Sequence, residues 1–455
     1  MKGLTPSYRV ACWNSTKSRG HQLQNWLAPT NPLRRPGYRF FLMISLMSAI
    51  GGGFHFVASY WITYTETEST ESVAWLSIAF WAPALLTMPF AGVIVDRWNR
   101  RLLVAFSLAN PALVNIGLMT LMLLGEFRSQ HLYIYGVLTS TTHALFWNAL
   151  TAYLQEHLSK EELLHANGIN TALFNGGYLA GAGLAGVLYS TIGPLGAFAI
   201  DTVGLSMAVV GWFVIQRWWP DRNRDERNSE LSGFLQEFRE GLRAVRADLA
   251  LFGFVLLAIV PRVSAQIVNV LQVGYSKTVL GAGSAGFGFL DMAYGVGAML
   301  CGFAFPMLAG RSRRLMMFVP VALISLSAVY LGMSFVPTLA VAMVVQFGIG
   351  TTATIIGILG HTTLQREAPN HVIGRIMSII QIVQYMLLPV IVWCIGSYAN
   401  LARGRLLHES PLRDAFVLAS LAMVVTFLYS CVITLLFVRT RGDDAATISE
   451  SAEKQ

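Results

Sequence analysis

Gly92-Val93-Ile94-Val95-Asp96-Arg97-Trp98-Asn99-Arg100-Arg101 sets one carboxylate and three guanidinium groups between two long apolar runs. One run ends near Val95 and the next begins near Leu102. So short a link between two stretches of membrane-spanning length is a tight charged turn at a membrane face. Outward from this turn, the 455-residue chain is 54% apolar and only 12% charged. Ordinary soluble chains are about 25% charged, so this one must place most of its surface in lipid. The net charge of +8 does not indicate a nucleic-acid partner, because the charges sit at the ends of apolar runs.

Twelve spans of about 20 or more residues can be read. They cover Phe40–Thr63, Val73–Val95, Leu102–Leu124, Leu132–Leu154, Leu164–Thr191 and Leu195–Trp218, then Leu249–Tyr275, Gly286–Leu308, Leu315–Phe335, Thr338–Gly360, Val372–Tyr398 and Asp414–Val438. Backbone groups in lipid find no water, so each span must be helical. With the N-terminus inside, the outer loops hold only Arg128, Lys277, Arg403, Arg405 and Arg413, and Arg262 lies within a span. The other Lys and Arg fall on inner segments, which places both termini and the Asp96 turn in the cytoplasm. The expected organisation is a cytoplasmic tail over 1–39, a six-helix bundle over 40–219, a linker over 220–248, a second bundle over 249–438 and a tail over 439–455. The linker opens with a charged run and continues with Phe234, Leu235, Phe238, Leu242 and Val245 at helical spacing, as in a helix lying on the membrane surface.

The pattern Gly92, Asp96, Arg97, Arg100, Arg101 resembles the loop between the second and third helices of major facilitator superfamily transporters. The resemblance covers all twelve spans. It implies an all-α membrane protein with twelve transmembrane helices in two six-helix bundles, moving a small molecule by alternating access without a cofactor. Arg311-Ser312-Arg313-Arg314 forms a weaker copy after span eight, with Ala309 at the position of Asp96. Leu163 to Asn167, Gly176 to Leu188, Ala197 to Asp201, Glu240 to Arg243 and Gly374 to Ser378 resemble the branch with macrolide-efflux proteins and the enterobactin exporter. In such proteins the Asp96 turn is a conformational latch. Its carboxylate would meet the positive end of helix eleven, here near His371, and Arg100 would pair with an acid at the inner end of span four, where Glu156 is available. Drug/proton antiporters usually carry an arginine in helix four; span four here has no basic residue except His143.

Polar groups inside spans are costly and point to function. Arg262, Gln266 and Asn269 share a helical face, which fits either an anionic or carbonyl-rich substrate or a structural partner on a neighbouring helix. The family lines its cavity with helices one, four, seven and ten. That places His55, His143, Trp147 and Gln346 on cavity helices, and Gln381, Gln384 and Tyr385 could extend the lining from span eleven. Asp291, His55 and His143 are the proton-coupling candidates, while Asp201 reads as structural. Glycines crowd spans five and eight, where helix backbones can approach closely.

These features lead to a secondary transporter of the bacterial cytoplasmic membrane, working as a monomer on a small-molecule substrate. Its expected role is proton-driven export of a bulky amphiphile, with a siderophore ahead of macrolide or multidrug efflux and lysolipid transport. The chain has no Walker or H-E-x-x-H motif and no paired cysteines. An enzyme, a metal site and a cofactor are therefore not expected, and a non-transporting membrane sensor is the remaining rival.

Overall fold

The computed structural model describes residues 32–219, 249–309, 318–367, 373–401 and 410–431. Among them are twelve helices long enough to be read as spans. These begin with α1 (Pro36–Thr67), α2 (Thr70–Arg97), α3 (Arg100–Leu123) and α4 (Gln130–His157). One continuous run, Lys160–Val214, breaks at Gly193 into α5 (residues 160–192) and α6 (residues 194–214). Then come α7 (Leu249–Gly274), α8 (Gly283–Ala309), α9 (Phe318–Ser334), α10 (Leu339–Glu367), α11 (Ile373–Leu401) and α12 (Pro411–Cys431). No strand occurs among the described residues. The linker over 220–248, the second arginine loop at 311–314 and the tails over 1–31 and 432–455 lie outside them.

Local chemistry makes the turns short. Between α2 and α3 only Trp98 and Asn99 intervene, and Asn99 Oδ1 accepts from the Arg101 and Leu102 amides at 2.9 and 3.3 Å. That cap satisfies two of the donors a helix start leaves open. Gly193 separates α5 from α6 alone. Its φ of 64° and ψ of −174° lie in a region open essentially to glycine, and Pro194 starts the next helix.

Between α4 and α5, Ser159 and Glu162 form a reciprocal capping box. Arg35 closes a bidentate pair on the same carboxylate, Nε and Nη2 each 2.8 Å from its oxygens, and donates Nη1 to the His157 carbonyl at 2.8 Å. Residues 32–39 were expected to belong to a loose tail. Instead, Arg35 clamps the start of α1 onto the α4–α5 junction.

Small residues set the helix spacing. Gly53 and Gly181 let α1 lie against α5, and Gly297 and Gly350 do the same for α8 and α10. Across the two halves, a Cβ on Gly186 of α5 would stand 2.8 Å from the Gly288 Cα of α8. Close backbone approach of this kind drives helix association where no hydrophobic effect operates. The long helix α4 is the exception in composition, since it lacks the apolar window that marks the other long spans. Its polar side chains find partners instead: Ser140 Oγ accepts from the Ala84 amide at 3.0 Å, and Asn110 Nδ2 donates to Thr142 Oγ1 at 3.0 Å.

Candidate substrate and coupling site

The two halves touch at the end bearing Glu68. Lys277 Nζ lies 3.4 Å from Glu68 Oε1 and 5.6 Å from the centre of the Tyr64 ring. Gly396 of α11 packs on Thr70 and Ala74 of α2. Deeper along α2, Trp81 faces the second half. The guanidinium carbon of Arg262, on α7, sits 4.2 Å from the Trp81 ring centre, a cation–π distance. His143 of α4 meets the same indole edge-on at 5.9 Å, and Tyr385 of α11 lies at 6.4 Å. Trp147 donates its indole N–H to His143 Nε2 at 3.0 Å and meets Phe174 edge-on at 5.2 Å. His143 and Trp147 are exposed, while Trp81, Arg262 and Tyr385 are half-buried. Among the described residues no side chain or carbonyl accepts a hydrogen bond from the Arg262 guanidinium. A planar cation with five donors therefore sits over an aromatic face beside an accessible space. A small apolar cleft opens in the first half next to Trp147, with Phe41, Phe146, Phe174 and Trp212 among its walls.

A second polar group lies where α7, α8 and α10 meet. Gln272 Nε2 donates to Asp291 Oδ1 and Gln346 Nε2 donates to Gln272 Oε1, both at 3.3 Å. All three residues are buried.

A third group is sealed inside the first half. His55 Nε2 lies 3.1 Å from Ser59 Oγ, and His55 Nδ1 lies 3.4 Å from Asp201 Oδ2. Asn115 Nδ2 donates to the same carboxylate oxygen at 2.8 Å. The imidazole stacks on Tyr135 at 4.3 Å, with Phe198 and Phe80 edge-on at 5.2 and 5.7 Å.

Residues 40–392 match the family model of the Major Facilitator Superfamily. The chain belongs to that superfamily. It is 24% identical over 409 residues to the multidrug efflux pump Tap of Mycolicibacterium fortuitum, a match spanning 88% of this chain and 97% of that pump. The Tap pump of Mycobacterium tuberculosis strain H37Rv is 22% identical over 409 residues, 87% of this chain and 93% of that protein. In fold, it is similar to the nucleoside transporter NupG, with a TM-score of 0.66 at 11% identity over 88% of this chain and 99% of that one. A bacterial homologue of the human lysosomal transporter Spinster, in an inward-facing and unoccupied conformation, aligns with a TM-score of 0.64 at 15% identity, over 89% of this chain and 96% of that one.

Within this superfamily member, the sequence-selected residues separate into groups. Arg262, His143, Trp147 and Tyr385 come together around Trp81. Gln346 joins Asp291 through Gln272. On the face expected to carry Arg262, Gln266 and Asn269, Gln266 is buried and Asn269 is half-buried like Arg262. Gln384 turns its amide to the Ala258 carbonyl at 3.3 Å, and Gln381 is exposed. His55 does not line the accessible space, because its ring packs against Phe80 of α2, Tyr135 of α4 and Phe198 of α6. The side chains of Gly92 and Asp96 lie outside what is described, as does His371, and Arg97 is exposed. Arg100 Nη1 is 2.6 Å from Glu156 Oε1 and 3.2 Å from the Ala152 carbonyl. Arg101 lies 5.5 Å over the Phe213 ring. Trp81, Gln272, Asn115 and Asn99 carry site or turn geometry that the sequence reading did not single out.

Proposed function

We propose that this transporter exports a bulky amphiphilic small molecule across the bacterial cytoplasmic membrane by alternating access, with a metal-free siderophore as the first candidate and the proton gradient as the driving force. The observation that carries the proposal is Arg262 lying on Trp81 with no hydrogen-bond acceptor among the described residues, bordered by His143, Trp147 and Tyr385. Carbonyl or anionic oxygens of a substrate would meet the guanidinium fork, and its planar or apolar parts would meet the aromatic rings and the cleft beside Trp147. With the basic turns and both termini in the cytoplasm, the Glu68 end faces outward. The contacts at that end then close the exterior, and His143 and Trp147 face a space that loads from inside. Asp96 belongs to the inner latch of the opposite conformation, whereas the Arg100–Glu156 pair, expected with it, is already formed here within the first half and braces the turn onto α4. His143, beside the guanidinium, and Asp291 are the groups best placed to pass a proton; His55, sealed from the cavity, is the third candidate.

Multidrug efflux is the second reading, favoured by the Tap relatives and the aromatic lining. Everted membrane vesicles separate the two. Uptake of a desferri-catecholate siderophore that collapses with a protonophore at constant ATP supports the first, and uptake of macrolides alone supports the second. Uptake insensitive to the protonophore refutes the proton drive.

A further inference from the structure

We propose that Asp291, Gln272 and Gln346, at the junction of α7, α8 and α10, form a binding site for a monovalent cation, sodium, which competes with a proton for Asp291. Only the use of the ion rests on the transport reading above; the binding stands on the following geometry.

The site has more acceptors than donors. Asp291 is 6% exposed and Gln272 and Gln346 are 0% exposed, so water supplies little to any of them. Gln272 commits one amide N–H to Asp291 Oδ1, and Gln346 commits one of its own to Gln272 Oε1. Asp291 Oδ2 and Gln346 Oε1 are then left buried without a partner. A buried polar atom without a partner is rare in native proteins, and an ion is one of its few physical explanations. The hydroxyls around Asp291 do not relieve the excess. Tyr60 bonds to Ser77 at 2.7 Å, and among the described residues the only hydrogen bond to the carboxylate comes from Gln272.

The donor atoms that remain are all oxygens, one carboxylate and neutral amides. That set suits a hard cation and excludes the thiolate- and imidazole-seeking metals. The charge is also specific. One carboxylate balances one positive charge, while a divalent ion would leave an excess in a low-dielectric interior that already holds Arg262. Both amide hydrogen bonds are long, at 3.3 Å. Either amide can be turned, so that its oxygen faces an ion, at small loss. The site adjoins the first half: Met292, next to Asp291 on α8, packs against Gly183 of α5, and Leu179 of α5 packs against Gly295 of α8. Filling the site therefore acts on the surface along which the halves meet.

The test needs no transported substrate. The melting temperature of the purified full-length protein is measured in sodium, potassium and choline chloride at equal ionic strength, across a series of pH values. Sodium should raise it, potassium should raise it less and choline not at all, with the sodium effect shrinking as the pH falls. Equilibrium binding of radioactive sodium to the same preparation reads the site directly. Asp291→Asn should abolish both signals and Gln346→Leu should weaken sodium binding by about tenfold or more, as for loss of a polar partner to a charge. Asp201→Asn, which alters the buried carboxylate of the other half, should keep both. Equal melting temperatures in the three salts with no sodium bound, or full sodium binding by Asp291→Asn, would overturn the proposal. A melting temperature that follows pH alone would assign the site to a proton and also overturn it. Failure of export with sodium binding intact would refute the transport reading and leave this site standing.

Discussion

Gly288→Ala should shift the balance between the two conformations of the transporter rather than merely loosen its fold. A methyl group there would stand 2.7 Å from the Ala182 carbonyl oxygen, 2.8 Å from Gly186 Cα and 3.1 Å from the Gly186 amide. All three are backbone atoms, so no side chain can rotate to make room. Overpacking of this kind costs about 1–3 kcal/mol, which is roughly 5- to 150-fold in an equilibrium. The penalty falls only on the conformation in which α5 and α8 touch at this level. Gly350→Ala is the matched control. Its methyl group would strike the Tyr294 carbonyl oxygen within the second half, a contact that rigid rocking of two halves leaves intact. Spin labels at Glu126→Cys and Thr338→Cys, on a background with the four native cysteines replaced, report the separation of the halves at the Glu68 end. The long-distance population should grow several-fold in Gly288→Ala and stay constant in Gly350→Ala, while both lower the melting temperature. An unchanged distance distribution in Gly288→Ala, with a melting loss like that of Gly350→Ala, would refute the reasoning.

Three further outcomes follow from the geometry. Trp81→Ala should weaken substrate affinity by about 2- to 30-fold, the range of a partly desolvated cation–π contact, with Trp81→Phe intermediate. Arg262→Lys should also bind poorly despite its charge, because it lacks the planar fork; titration of the purified variants checks both, and unchanged affinity removes this pair from the site. Asp201→Ala leaves the Asn115 amide and His55 buried without their partner, so stability should fall by about 1–3 kcal/mol while transport per folded molecule persists; loss of transport at full stability would contradict a structural role. Asp96→Asn should cut transport with normal membrane insertion, whereas Arg100→Ala should change melting by no more than the roughly 0.2–1 kcal/mol of a part-exposed ion pair; a large melting loss in Arg100→Ala would show that the Glu156 pair has a heavier structural role.

The twelve helices and their short links were legible because lipid leaves the backbone one solution and the breaks are written in Gly193-Pro194, Asn99 and Ser159. The site was only partly legible. Arg262 stood out because a guanidinium within an apolar run has no bland explanation. Trp81 did not, since an indole in a span reads the same whether it faces lipid, as Trp75 does at 49% exposure, or the other half. Gln272 was hidden for another reason. Helical spacing from Arg262 groups it with nothing, and only the approach of α8 and α10 gives its amide two partners. His55 was placed on the right helix but not the right side of it, because near-uniform hydropathy along α1 carries no signal of which face meets α2, α4 and α6.

The polar composition of α4 has a consequence for how the chain is made. A segment with Thr139, Ser140, Thr141, Thr142, His143 and Asn148 in sequence partitions weakly from the translocon into lipid by itself. Its partners for those groups are Ala84 on α2 and Asn110 on α3, both synthesised earlier. Insertion of α4 is therefore coupled to the helices already waiting in the bilayer, which offer it hydrogen bonds that hydrocarbon does not. The wall that carries His143 and Trp147 enters the membrane as a client of its own N-terminal neighbours.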